Sequence, residues 1–252
     1  IPLRLVGSEM CIRDSRNIVV PLQGKTTFDF VNNHYEKGMK TLDFGCGTGA
    51  NSRLFHAEDY IGAEVDMSRV QSSREKYVKN KFEKIPIIRS SKERLPWKKD
   101  SFDLIFVSLC LHHINAKTCK LIFKEFHRVL KNSGKIIGLE PAVIEKKYFN
   151  NICMNVLDAG DYILPIEKYK NLYSSESFET SHIDIVKTFG YNLWQYSSKP
   201  IDDKSTPIKG DMTNYRKVLK PIHVLGLYGK WFVLVFLILL FLKNLINVFI
   251  ST

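Results

Sequence analysis

The run Thr41-Leu42-Asp43-Phe44-Gly45-Cys46-Gly47-Thr48-Gly49 joins a short apolar strand to the expected start of a helix through three glycines spaced two apart. Glycine takes positive φ without steric cost and lets a ligand approach bare backbone, and the N–H groups opening a helix lie at the positive end of its dipole. Asp43 adds a carboxylate at the mouth of the strand. A unit of this kind belongs in an alternating α/β chain, with a ligand at the strand-to-helix turn. The glycines alone do not choose the ligand. Gly45, Gly47 and Ala50 also satisfy the loose G-x-G-x-x-G/A spacing of a dinucleotide site, with an acid about 20 residues on, and a bare turn remains the third reading.

The segments that follow narrow the choice. A second strand over Asp59–Val65 runs into Gly62-Ala63-Glu64-Val65-Asp66-Met67-Ser68, and an acid at such a strand end can accept both hydroxyls of a ribose. Glu64 and Asp66 compete for that place, and either could instead cap a helix over Ser68–Lys79. Farther on, Glu93-Arg94-Leu95-Pro96-Trp97 leads through a polar turn into Ser101-Phe102-Asp103 and the apolar run Leu104–Val107, which suits a strand buried on both faces. Ser108 ends that run, and Leu109-Cys110-Leu111-His112-His113-Ile114 follows it. Ile122, Phe126, Val129 and Leu130 then mark one face of a helix, and a strand is expected over Lys135–Glu140.

These five blocks, in order from Thr41 to Pro141, resemble the class I S-adenosylmethionine-dependent methyltransferases of the small-molecule and lipid type (methyltransferase domain 11-like). The glycine run is similar to that family's first motif, Leu95–Leu104 to its Leu-Pro-Phe-x-x-x-Ser-Phe-Asp segment, and Glu125 to Gly134 to its Glu-x-x-Arg-Val-Leu-Lys-x-x-Gly ending, with Asn132-Ser133 in place of Pro-Gly. The resemblance implies a Rossmann-like, doubly wound, seven-stranded sheet with an antiparallel last strand, and S-adenosyl-L-methionine as cofactor. It places Asp43, Phe44, Gly45, Cys46, Gly47 and Gly49 at the cofactor's methionine and ribose, Asp66 on the ribose with Glu64 as competitor, and Met67 against the adenine. Ser91 would lie near the adenine amino group, where the family often has an acid, and Ser108 at the end of strand 4. His112 and His113 fall at the junction of cofactor and substrate, where an imidazole suits removal of a proton. The resemblance calls for no metal. Residues 145–164 fall where the family inserts segments that shape a substrate pocket, and Ser177–Val186 with Asn192–Ser197 reads as the closing hairpin.

With 252 residues, 44% of them hydrophobic, the chain can bury one core with an appendage. Five cysteines without a C-x-x-C pair imply neither a disulfide framework nor a zinc site. Leu5 to Asp14 reads like the translation of a sequencing-library adaptor, so 1–15 is set apart as an adaptor-derived or disordered segment, ahead of a methyltransferase domain over 16–197. Residues 198–223 form a basic linker, and 224–250 are expected to form a hydrophobic, membrane-associated helix. Trp231–Leu242 is unbroken apolar sequence but only about 18 Å of helix, short of a hydrocarbon core of about 30 Å. Val224–Leu242 comes nearer, with Lys230 as its one charge. Basic charge ahead of this segment favours a membrane-associated protein with its catalytic domain in the cytoplasm, acting on a small-molecule or lipid acceptor. The net charge of +11 is accompanied by no nucleic-acid motif or aromatic-basic interleaving, which argues against a nucleic-acid partner.

Overall fold

The computed structural model describes residues 26–158, 160–188 and 190–201. Its strands are β1 (Thr41–Phe44), β2 (Tyr60–Glu64), β3 (Lys81–Lys84), β4 (Phe102–Ser108), β5 (Leu130–Val143), β6 (Leu164–Pro165), β7 (Phe178–Thr188) and β8 (Tyr191–Pro200). A helix over 26–32, α1, precedes them. Between the strands lie α2 (Met67–Lys76), α3 (Ala116–Val129), α4 (Tyr148–Leu157) and α5 (Ile166–Ser174). The main sheet has seven strands in the order β3-β2-β1-β4-β5-β8-β7, with the short β6 attached to β5. Strands β3 to β5 pair in parallel, while β8 runs antiparallel to both β5 and β7, which is the closing hairpin expected from the sequence.

Period two decides which residues face which layer. Leu104 and Phe106 of β4 enter the core on the side of α1 and α2, beside Phe30, Val31 and Val70. Ile105 and Val107 enter the other, beside Ile122, Phe123 and Phe126 of α3. Both faces of β4 are therefore covered, and its reading as a continuous apolar run follows from that. Asn115 starts α3 by accepting a hydrogen bond from the Thr118 N–H, and the helix buries Cys119, Ile122, Phe123, Phe126 and Val129 along one stripe.

Two local expectations change. The segment after Gly49 is not an α-helix but a 3-10 turn over Ala50–Leu54, because only ten residues separate the glycine loop from β2. A turn this short has little axial dipole to offer a ligand. The helix α3 passes directly into β5, and Asn132-Ser133-Gly134 is a bulge inside that strand. Phe102 pairs with Leu130 and Leu104 with Lys135, so four residues loop out opposite one.

The matched motifs also hold each other. Arg128 donates to the carbonyls of Leu95 (3.0 Å) and Trp97 (2.7 Å) and to both oxygens of Glu125, while Glu125 accepts the Leu95 N–H at 2.8 Å. The Glu-x-x-Arg turn of α3 is thus a staple for the Leu-Pro-Trp segment leading into β4.

Candidate active site

The strand order reverses at β1, since β2 lies on one side of it and β4 on the other. In an open α/β sheet the crevice outside the carboxyl ends of such strands is where a ligand fits, because the connections leave in opposite directions there. The glycine loop follows β1 and the Leu109–Ile114 turn follows β4, so both border this crevice.

Gly45, Gly47 and Gly49 all have positive φ, at 72°, 56° and 72°. A Cβ on Gly45 would lie 2.4 Å from Cys110 Sγ, across the crevice, and one on Gly49 would lie 2.7 Å from the Phe82 ring. The first glycine therefore lets the two loops approach, and the third lets the loop pack on β3. Gly45 and Cys46 donate to the Ala63 carbonyl at 2.8 and 3.1 Å, which prolongs the β1–β2 ladder into the loop.

Two buried acids shape the two loops in the same way. Glu64, the last residue of β2, accepts from the N–H groups of Gly47 (2.9 Å), Val65 (2.7 Å) and Asp66 (3.2 Å). Glu140 of β5 accepts from Cys110 and Leu111 (both 2.8 Å) and His112 (3.4 Å). Each carboxylate thus fixes the loop of the neighbouring inner strand. Leu109 takes φ 52°, a conformation unfavourable for leucine, to direct those three N–H groups at Glu140.

Asp43 is buried in β1, and one of its oxygens accepts the Tyr60 hydroxyl at 2.7 Å. Phe44 points into the core, edge-on to Phe126, so only its backbone faces the loop. Cys46 is likewise a core side chain. Asp66 lies two residues beyond the end of β2. It caps α2, accepting from the Ser68 N–H and hydroxyl at 2.8 Å, with Arg69 3.8 Å away. The Ser68 bonds are the main reason its carboxyl is held below the ordinary range. Met67 opens that helix, with its side chain exposed. Ser91 is exposed in the loop before Leu95, and Ser108 is half-buried at the end of β4. Beside Glu64, a cleft of about 330 Å³ is walled by Val65, Ile85, Pro86 and Ile87, with Lys84, Arg89 and Glu93 at its rim. Glu93 is held in place there by the Ser90 N–H and hydroxyl, at 2.7 and 2.6 Å.

The two histidines part company. His113 is exposed, whereas His112 is buried at 2% exposure with Nδ1 2.7 Å from Glu140 and Nε2 3.4 Å from Asp158. A base must reach the proton it removes. His112 is covered and faces a carboxylate at each nitrogen, whereas His113 on the same turn is open to solvent. Burial first and the Glu140 charge second push the Cys110 thiol well above the ordinary range, which disfavours its thiolate.

Residues 42–138 match the family model of the methyltransferase domain. That stretch carries the methyltransferase domain of the class I S-adenosylmethionine-dependent type. Among relatives of this methyltransferase, a protein of Methanocaldococcus jannaschii is 28% identical over 183 residues, covering 69% of this chain and 74% of the relative. The ubiquinone/menaquinone biosynthesis C-methyltransferase of Neisseria meningitidis is 32% identical over 118 residues, which are 45% of this chain and 47% of that enzyme. The matched stretch thus spans about half the length of the quinone methyltransferase. Among solved structures, the magnesium protoporphyrin IX methyltransferase of Synechocystis, crystallised with bound S-adenosylhomocysteine, superposes with a TM-score of 0.54 at 14% identity, over 71% of this chain and 84% of that one. At that identity the likeness is one of fold.

Sequence reasoning weighed Glu64 and placed Asp158 in the substrate-pocket insert, but did not single out Val65, Glu140 or Tyr191, which the fold brings beside these residues. For Glu64 a signal was available: Gly62-Ala63-Glu64 already reads Gly-x-acid at the point where β2 stops.

Proposed function

We propose that the chain transfers a methyl group from S-adenosyl-L-methionine to a small, lipid-like acceptor at a membrane surface. The observation that carries the cofactor part is the glycine loop at the sheet's switch point, pinned through Gly47 by the buried Glu64 carboxylate. The residues suit the donor. Three positive-φ glycines give the loop a tight backbone that other residues rarely adopt, an anionic carboxylate suits a ribose diol, and the cleft beside Val65 and Ile85 has apolar walls for a flat ring. Glu64 takes the ribose place in this reading and Asp66 the helix cap, with Asp43 toward the methionine moiety. When bound, the cofactor supplies a methyl group on an electrophilic sulfonium. The chain's part is then to align the acceptor and exclude water, and no enzyme-bound covalent intermediate is required.

The acceptor side supports an apolar substrate. Helix α4, between β5 and β6 at the crevice end of the sheet, exposes Tyr148, Phe149 and Ile152. The similarity to a quinone C-methyltransferase points the same way. Among the described residues no helix is long and apolar enough to cross a membrane, and the apolar segment Val224–Leu242 lies outside them. Incubation of the full chain with methyl-labelled cofactor and a membrane lipid extract is expected to put label into the organic phase. Label confined to water-soluble products would overturn the lipid-like acceptor.

A further inference from the structure

His112 is held from β5 and from the segment after α4, the latter braced in turn by β8. Glu140 of β5 faces Nδ1 at 2.7 Å, and Asp158, just after α4, faces Nε2 at 3.4 Å. The Tyr191 hydroxyl of β8 and the Gly160 N–H both donate to Asp158. The chain then folds back over the ring: the Tyr162 N–H donates to the His112 carbonyl at 2.9 Å, and a Cβ on Gly160 would lie 2.0 Å from the imidazole Cδ2. His113, on the same turn as the titratable Cys110, lies tilted against the ring at 4.1 Å between centroids.

Ionised carboxylates only accept hydrogen bonds. An imidazole between two of them satisfies both when each ring nitrogen carries a proton. We propose that His112 is a positioning residue, held as an imidazolium that fastens the segment carrying Asp158, Gly160 and Tyr162 to the turn after β4 and thereby sets the acceptor wall of the site. This rests on the methyltransferase reading and deepens it, by naming what holds the substrate insert to the sheet.

The charge on Asp158 is consistent with the clasp. Burial pushes its carboxyl up, but the His112 charge, the Tyr191 hydroxyl and the Gly160 N–H together outweigh burial and hold it below the ordinary range. A carboxyl depressed by folding stabilises fully above its unfolded value, and that stabilisation is lost as pH falls through the folded value. The imidazolium fails in the opposite direction, as alkali removes its second proton.

Amide exchange of the full chain, resolved at Gly160 and Tyr162 by mass spectrometry and corrected for intrinsic rates, tests the clasp between about pH 4 and pH 10. Protection in the wild type is expected to be bell-shaped. His112→Gln should exchange about tenfold faster at neutral pH and lose the alkaline limb, since one neutral contact replaces a charged one. Asp158→Asn should lose the acid limb, which gives an independent readout if the first variant folds poorly. S-adenosylhomocysteine affinity should change less than about threefold in either variant, because neither touches the glycine loop. Flat protection in the wild type, or wild-type exchange in both variants, overturns the proposal. Failure of the wild type to bind S-adenosylhomocysteine would instead overturn the cofactor reading, while the exchange profile still judges the clasp.

Discussion

Glu64→Gln separates the two acids that compete for the ribose. Glutamine keeps the side-chain length and one carbonyl oxygen, so the Val65 and Asp66 N–H groups, now at 2.7 and 3.2 Å from Oε1, retain an acceptor. The negative charge and the second acceptor, 2.9 Å from the Gly47 nitrogen, are lost. A hydrogen bond to a charged group is worth about 1.5–3 kcal/mol and a neutral one about 0.5–1.5. Weakening two bonds to a diol in this way costs about 2–3 kcal/mol, or roughly 30- to 150-fold in Kd. Asp66→Ala should behave differently. It removes the cap of α2, worth about 1 kcal/mol of stability, from a side chain that is 40% exposed, and should shift Kd less than about threefold. Calorimetric titration of both variants with S-adenosylhomocysteine gives the affinities, and thermal unfolding alongside keeps loss of folding apart from loss of binding. A larger affinity loss in Asp66→Ala than in Glu64→Gln would refute the assignment of Glu64.

Arg128→Met should lower the unfolding free energy in urea by about 2–3 kcal/mol with little change in m, after discounting for partial exposure, because it leaves Glu125 and two carbonyls without their arginine donor. The Glu125 carboxyl, raised by burial but brought below its ordinary range by Arg128 and the Leu95 N–H, adds stability above that range that acid removes. Acid-induced unfolding of Arg128→Met should therefore lack this part of the pH dependence. Gly45→Ala combines φ 72° with a Cβ 2.4 Å from Cys110 Sγ and should cost about 1–3 kcal/mol and weaken cofactor binding. Gly38→Ala, at φ 97° with nothing within 4 Å, is the control that carries the backbone strain without the clash. Removal of Tyr228–Thr252 should leave a folded, cofactor-binding chain that fractionates with soluble protein, whereas aggregation or loss of cofactor binding would place that segment in the core.

The amino-acid sequence settles the sheet and its ligand edge because both are written locally. Leu104–Val107 is apolar at every position, which suits a strand covered on both faces, and α3 repeats its apolar residues at helical spacing. The glycines at 45, 47 and 49 all take the positive φ that their residue type allows. Spacing could not tell Glu64 from Asp66, because both are acids within three residues. The end of β2 gives them different surroundings: Glu64 is the last paired residue, turned inward onto the Gly47 N–H, while Asp66 lies beyond the strand and caps α2. The histidine pair shows the same limit more sharply. His112 and His113 are chemically identical neighbours, and which one is sealed between carboxylates depends on Glu140, 28 residues away, and on Asp158 in a loop held by β8. Pairings over that separation come from the order in which strands assemble, and no local pattern encodes them.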